Sequence, residues 1–194
     1  MGETAPFGIV VLLSGSGSNL QAIIDAKLPL EIRAVISNRA DAYGLERART
    51  AGIPTELLDH RQFSDRAGFD TALQQVIDRY APNLVVLAGF MRILTDALVN
   101  HYRGRMINIH PSLLPKYRGT NTHARAIEAG DSEAGCSVHW VTPELDAGPV
   151  LLQARVPIHP GDSADTLAAR VLEQEHRIYP EAIRRIANGE IRWS

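Results

Sequence analysis

The chain has 194 residues and a net charge of −2, which suits one domain with a sizeable core, or at most one and a half. Nothing in that charge points to nucleic acid or a membrane as a partner. Met1–Pro6 lacks the basic-then-apolar layout of a signal peptide, no apolar run is long enough to cross a bilayer, and the lone Cys136 excludes an internal disulfide or a cysteine-rich zinc site; a soluble, cytoplasmic protein is expected.

In chain order, Phe7–Leu13 reads as a strand, followed by the glycine-rich Ser14–Asn19 and a short helix containing Leu20, Ile23 and Ile24. Ile32–Ser37 is the next strand. A helix through Leu45–Ala51 follows, stopped by Gly52 and Pro54. Phe69, Leu73, Val76, Ile77 and Tyr80 have the spacing of an amphipathic helix. Leu84–Ala88 is a fully apolar strand, and Thr95 is a good N-cap for the helix through Tyr102. The strand Met106–His110 comes next. Strands alternating with helices predict an α/β fold: right-handed βαβ units in an open, mostly parallel twisted sheet with helices on both faces.

The second half changes character. Pro111–Asn121 reads as a loop, Thr122–Ala129 as a short helix stopped by Gly130. Cys136–Thr142 and Val150–Val156 are strands joined by a segment too short for a helical crossover, so they should pair antiparallel. A long helix starts near Asp162 or Ser163 and is expected to kink or break at Pro180.

The most informative residues are Asn108-Ile109-His110. In a strand, Asn108 and His110 share one face while Ile107 and Ile109 point to the other. Pro111 cannot continue a sheet ladder. An amide and an imidazole therefore sit together at a strand's C-terminal tip, where open parallel sheets bind ligands. Taken alone, the pair reads more simply as two buried polar groups satisfied by backbone.

Ser14–Asn19 joins the first strand to the first helix, where free backbone N–H groups favour an anion. Leu20 stands where the dinucleotide fingerprint needs its third glycine, no acidic residue ends the second strand, and no Gly-Lys-Ser/Thr occurs. The loop suits one phosphate monoester, or is a plain tight turn. Gly89–Leu94, apolar but for Arg92, is either the wall of a flat ligand's pocket or a loop tucked into the core. Asp146, before Ala147-Gly148-Pro149, is either a turn former or a carboxylate that orients a histidine and raises its pKa. Glu175 falls within the apolar stripe of Leu167, Val171 and Ile178, so it lines a polar cavity or pairs with an arginine. The seven histidines form no metal motif, so no metal is expected. His123 is expected to approach the site from its loop, and the other histidines read as surface or core residues.

Taken together, these segments resemble the glycinamide ribonucleotide transformylases (phosphoribosylglycinamide formyltransferases), folate-dependent enzymes of de novo purine synthesis. The resemblance runs through Ser14–Ile23, Ser37-Asn38, Gly44–Ala48, Leu87–Leu94, Asn108–Tyr117, Ser137–His139, Glu144–Pro149 and Gln174–Pro180. Asn-x-His-Pro-Ser-Leu-Leu-Pro with a later Asp is common to folate-dependent formyltransferases. The Ser-Gly-x-Gly-Ser-Asn loop and the Gln-Glu-His segment narrow it.

The resemblance implies a Rossmann-like single formyltransferase domain over residues 1–194. Its phosphate-binding part would span about 1–105 and its folate-binding, catalytic part about 106–194. It implies glycinamide ribonucleotide as substrate, 10-formyltetrahydrofolate as formyl donor, no metal, no nucleic acid or membrane partner, and a monomer or homodimer. Asn108, His110 and Asp146 would be catalytic. Gly17, Ser18, Asn19, Gly89 and the stretch Leu172, Glu173, Gln174, Glu175 would hold the ribonucleotide. Arg66, Met91, Arg92, Ile93, Leu94, Asn108, Thr142, Pro143, Glu144, Leu145 and Asp146 would line the folate site. Asn121 departs from the family pattern, standing where many members have a first loop histidine; the second survives as His123. A methionyl-tRNA formyltransferase or a formyl-folate hydrolase would be expected to carry a further domain. A non-catalytic sugar-phosphate sensor would use the loop but leave Asn108, His110 and Asp146 unmotivated.

Overall fold

The computed structural model describes residues 4–194, so the start of the Met1–Pro6 segment lies outside the described residues. Strand β1 (Gly8–Leu13) is buried throughout. Ile9, Val11 and Leu13 enter one core, and Val10 and Leu12 enter a second on the opposite face, as a strand covered on both sides requires. Strands β2 (Glu31–Ser37), β3 (Thr55–Leu57), β4 (Leu84–Leu87), β5 (Met106–His110), β6 (Glu133–Trp140) and β7 (Val150–Pro157) complete the sheet. Their order is β3-β2-β1-β4-β5-β6-β7. The first five strands are parallel to one another, and β6 and β7 turn the far end antiparallel.

Helices α1 (Ser18–Asp25), α2 (Tyr43–Thr50) and α6 (Ala164–Ala187) cover the first core, and α3 (Arg66–Arg79) and α4 (Asp96–His101) cover the second. A short α5 (Thr122–Glu128) leans on the first core through Ile127. Thr95 caps α4 as expected, its hydroxyl accepting from the Leu98 N–H at 3.3 Å. None of the described helices is long and apolar enough to cross a membrane.

Three features depart from the sequence reading. The edge strand β3 and the 3₁₀ turn at His60–Gln62 have no apolar alternation to announce them. Strand β6 starts at Glu133 rather than Cys136 and ends at Trp140 rather than Thr142. Its opening pairs with β7, and a Cβ at Gly135 would lie 2.0 Å from the Ala154 carbonyl oxygen, so glycine alone permits that approach. Helix α6 continues through Pro180 without the interruption that was one of the two expectations there. Tyr179, Pro180, Ala182 and Ile183 are all buried there. The Tyr179 hydroxyl donates to the Leu87 carbonyl at 2.6 Å. Those anchors hold the turn against the sheet and offset the missing proline N–H.

Strand β1 pairs with β2 on one side and β4 on the other. The chain order reverses at that point, and in open α/β sheets ligands bind beyond the C-terminal ends of the strands at such a point.

Candidate active site

The two-residue period of β5 places Ile107 and Ile109 in the first core and turns Asn108 and His110 to the other face. The antiparallel register sets Asn108 opposite His139 and His110 opposite Ser137. Asp146 arrives from the β6–β7 connection in a left-handed backbone conformation (φ 50°), which Asp tolerates better than most residues. A Cβ at Gly148 would lie 1.8 Å from the Trp140 carbonyl oxygen, so that glycine lets the connection fold tightly over β6. Asp146 is thus a turn residue, and the turn is what delivers its carboxylate to the histidines. Its Oδ2 lies 3.6 Å from His110 Nδ1, and its Oδ1 lies 3.7 Å from His139 Nε2. Oδ2 also accepts the Gly119 N–H at 2.9 Å.

The Pro111–Asn121 loop closes over this cluster. His110 Nε2 donates to the Tyr117 carbonyl at 2.8 Å, which identifies that nitrogen as protonated because a carbonyl only accepts. The Tyr117 hydroxyl donates to Asp131 at 2.6 Å. His123, half-buried at the start of α5, is held below the ordinary histidine pKa by burial and by the charge of nearby His110. It lines a small cavity with Pro111, Ser112 and Tyr117.

His139, read from sequence only as a surface or core histidine, is a core residue that lies against Asn108 and Asp146. It is 3% exposed, and burial holds its pKa below the ordinary 6.5. Nδ1 donates to the Trp140 carbonyl at 3.0 Å, so the neutral ring offers Nε2 as an acceptor, taken by Asn108 Nδ2 at 3.3 Å. The His139 ring thereby fixes which way the Asn108 amide points. The signal was its place in the strand, two residues after Ser137, but only the register to β5 makes it meaningful.

At the reversal point, Gly17 precedes α1 with φ 74° and no side chain caps the helix. The N–H groups of Ser18 and Asn19 have no carbonyl one turn behind them. A Cβ on Gly17 would lie 2.5 Å from the Gly44 Cα, so the loop passes α2 only as glycine. Arg47, to which the sequence reading gave no role, donates Nε to the Ser16 carbonyl at 2.7 Å and places a cation beside this loop. Glu175 is buried on α6, with no arginine partner among the described residues. Asn19 Nδ2 donates to its Oε1 at 3.2 Å, and burial raises its carboxyl pKa. That joins the loop to the Leu172–Glu175 turn, of which Leu172 and Gln174 are half-buried and Glu173 exposed.

Gly89 leaves β4 with φ 74°. Beyond it, Met91 and Ile93 are 75% and 59% exposed, an apolar surface without a cover, while Phe90 and Leu94 pack on the second core. The segment thus tucks part of its apolar surface into the core and leaves the rest uncovered. The Arg92 guanidinium stacks 4.7 Å from the Phe69 ring centroid. In the connection carrying Asp146, Pro143, Glu144 and Leu145 are exposed and Thr142 is half-buried. Glu144 pairs with Arg118 at 3.1 Å. Arg66 opens α3, exposed and without a polar partner among the described residues, and the structure does not draw it into either cluster. Among the described residues no group of three His, Cys, Asp or Glu could hold a metal ion.

A strand-end amide, imidazole and carboxylate thus stand on the same sheet edge as the Ser14–Asn19 loop. The formyl transferase family model matches residues 8–183, and the chain belongs to that family. A phosphoribosylglycinamide formyltransferase of Escherichia coli (strain K12) is 60% identical over 188 residues, 95% of this chain and 89% of that protein. The human trifunctional purine biosynthetic protein adenosine-3 is 44% identical over 187 residues, 94% of this chain and 18% of that longer protein. Among solved structures, a phosphoribosylglycinamide formyltransferase from Coxiella burnetii superposes with a TM-score of 0.94 at 58% identity. That match covers 97% of this chain and 90% of the other.

Proposed function

We propose that this formyltransferase moves the formyl group of 10-formyltetrahydrofolate to the amine of glycinamide ribonucleotide, releasing formylglycinamide ribonucleotide and tetrahydrofolate. The observation that carries the reading is the meeting of Asn108, His110 and Asp146 at the tip of β5, on the same sheet edge as the Ser14–Asn19 loop. The phosphate of the ribonucleotide would take the N–H groups of Gly17, Ser18 and Asn19, with Gly89 and Leu172–Glu175 along the ribose and glycinamide. The folate would lie over Met91, Arg92, Ile93 and Leu94 and under Thr142–Asp146, with Arg66 at its outer end. Covering Met91, Ile93 and Leu145 removes exposed apolar area from water.

The amine nitrogen attacks the formyl carbon, forming the new C–N bond. Negative charge then develops on the formyl oxygen, where the Asn108 amide and His110 Nε2–H are the donors. His110 reaches that oxygen only after exchanging its bond to the Tyr117 carbonyl, while Asp146 keeps the ring oriented from Nδ1. Collapse breaks the bond to N10, and the proton lost by the amine ends on N10. Holding both reactants on one edge supplies the proximity contribution. The two small molecules are the only partners needed, and the cytoplasm is the proposed compartment.

The test is consumption of 10-formyltetrahydrofolate with and without glycinamide ribonucleotide. Transfer requires both. Consumption of the folate alone would mark a hydrolase, and binding of the ribonucleotide with no turnover would mark a sensor.

A further inference from the structure

Ser14 is the first residue after β1 and sits at the reversal point between β1 and β4. It is 5% exposed, and its partner Asn38, just beyond β2, is 3% exposed. Three bonds meet on it. Its N–H donates to the Gly89 carbonyl at 3.0 Å, its hydroxyl accepts the Met91 N–H at 2.8 Å, and the same hydroxyl donates to Asn38 Oδ1 at 2.6 Å. The single hydroxyl proton is thus committed to Asn38 and a lone pair to Met91, so the arrangement is fully satisfied and has one sense. Asn38 Nδ2 in turn lies 3.3 Å from His60 Nδ1. The ends of β2, β1 and β4 are therefore tied at one buried oxygen.

That oxygen lies between two segments with different ligands. On one side the chain continues directly into the Gly15–Asn19 loop. On the other it grips the backbone of Met91, whose side chain, like that of Ile93, is exposed and anchors nothing. We infer that Ser14 is a positioning residue that couples the two substrate sites: ordering of the phosphate loop is transmitted through its hydroxyl to the folate-facing Met91–Leu94 segment. This rests on the proposed function, because the two segments must serve the two substrates. Ser14 touches neither substrate. Its effect is on how much one ligand tightens the other, a coupling that is reciprocal and commonly about 5–150-fold in affinity.

The test measures the dissociation constant of tetrahydrofolate with and without saturating glycinamide ribonucleotide, in the intact chain and in Ser14→Ala and Ser14→Thr. The ribonucleotide should tighten the folate at least about 5-fold in the intact chain, less than about 2-fold in Ser14→Ala, and nearly normally in Ser14→Thr, which keeps the hydroxyl. An intact chain without coupling, or an alanine variant that keeps it in full, overturns the inference. Should Ser14→Ala fail to fold, hydrogen exchange decides the matter in the unaltered chain. Glycinamide ribonucleotide alone should slow exchange at the Met91 amide, and an unchanged rate overturns the coupling. Failure of the unaltered chain to bind either molecule would count against the proposed function instead.

Discussion

Asn108 and His139 face each other across the β5–β6 pair, and the imidazole Nε2 accepts the asparagine amide at 3.3 Å. The bond exists only because His139 is neutral, with its one proton on Nδ1 and spent on the Trp140 carbonyl. A buried histidine thus sets the aim of the amide proposed to stabilise the formyl oxygen, without facing the substrate itself.

His139→Leu should lower kcat by about 10- to 100-fold, the scale on which a misplaced catalytic group costs rate, with a much smaller change in KM for glycinamide ribonucleotide. Stability carries a second signature. The folded pKa lies below 6.5, so below pH 6.5 the unfolded chain binds more protons than the native one and stability falls with falling pH. Thermal melts between pH 7 and 5 should show a shallower loss for His139→Leu than for the unaltered chain. Parallel melting curves would remove His139 from this account.

Asp146→Asn should reduce kcat by roughly 100-fold or more, within the range for a group that orients an acid–base residue. The asparagine can still accept the Gly119 N–H, so the loop should keep its place. His110→Ala should be at least as damaging. Combining the two should cost little more than His110→Ala alone, because the pair acts as a unit. Multiplicative losses in steady-state kinetics would show that they act separately.

Glu175→Gln should separate stability from binding. Burial raises the Glu175 pKa above 4.5, so between 4.5 and that raised value the native state holds more protons than the unfolded one. Stability from this group is full below pH 4.5 and is lost as pH rises through the folded pKa. The variant should therefore melt higher than the unaltered chain at pH 8 and equally at pH 4, while its KM for glycinamide ribonucleotide rises about tenfold through loss of a charged acceptor. Identical melting differences at both pH values would contradict a buried charge.

Arg92→Ala should weaken tetrahydrofolate binding measured by calorimetry. The stacking on Phe69 is worth only about 0.5–1 kcal/mol at a partly exposed site, so chemical denaturation should show a stability change within about 1 kcal/mol. A larger stability loss with folate affinity intact would return Gly89–Leu94 to a purely structural loop.

Much of the fold was legible because its signals are local. The unbroken apolar runs of β1 and β4 required cover on both faces, and the 3.6-residue stripe of Phe69, Leu73 and Ile77 required a helix on one. The stop at Pro111 ended β5 where a ligand could meet Asn108 and His110. The short Pro143–Pro149 connection forced β6 and β7 antiparallel. What escaped was nearly featureless in sequence, as in the three-residue β3, or was decided by packing, as in the passage of α6 through Pro180.

For the site, the sequence by itself determined which side chains share a face within one element: Asn108 with His110, and Glu175 on the core stripe of α6. Those follow from the fixed periods of strand and helix, which need no partner to be read. Only the tertiary structure decided what stands opposite. His139 meets Asn108 by antiparallel register, Asp146 reaches His110 through a left-handed turn, Arg47 lies beside Ser16, and Ser14 joins Asn38 to Met91. Each of these joins residues more than 20 positions apart, so the chain carries no local pattern for it. The pairing is set by strand order and by the need to satisfy every buried donor and acceptor once the sheet has formed.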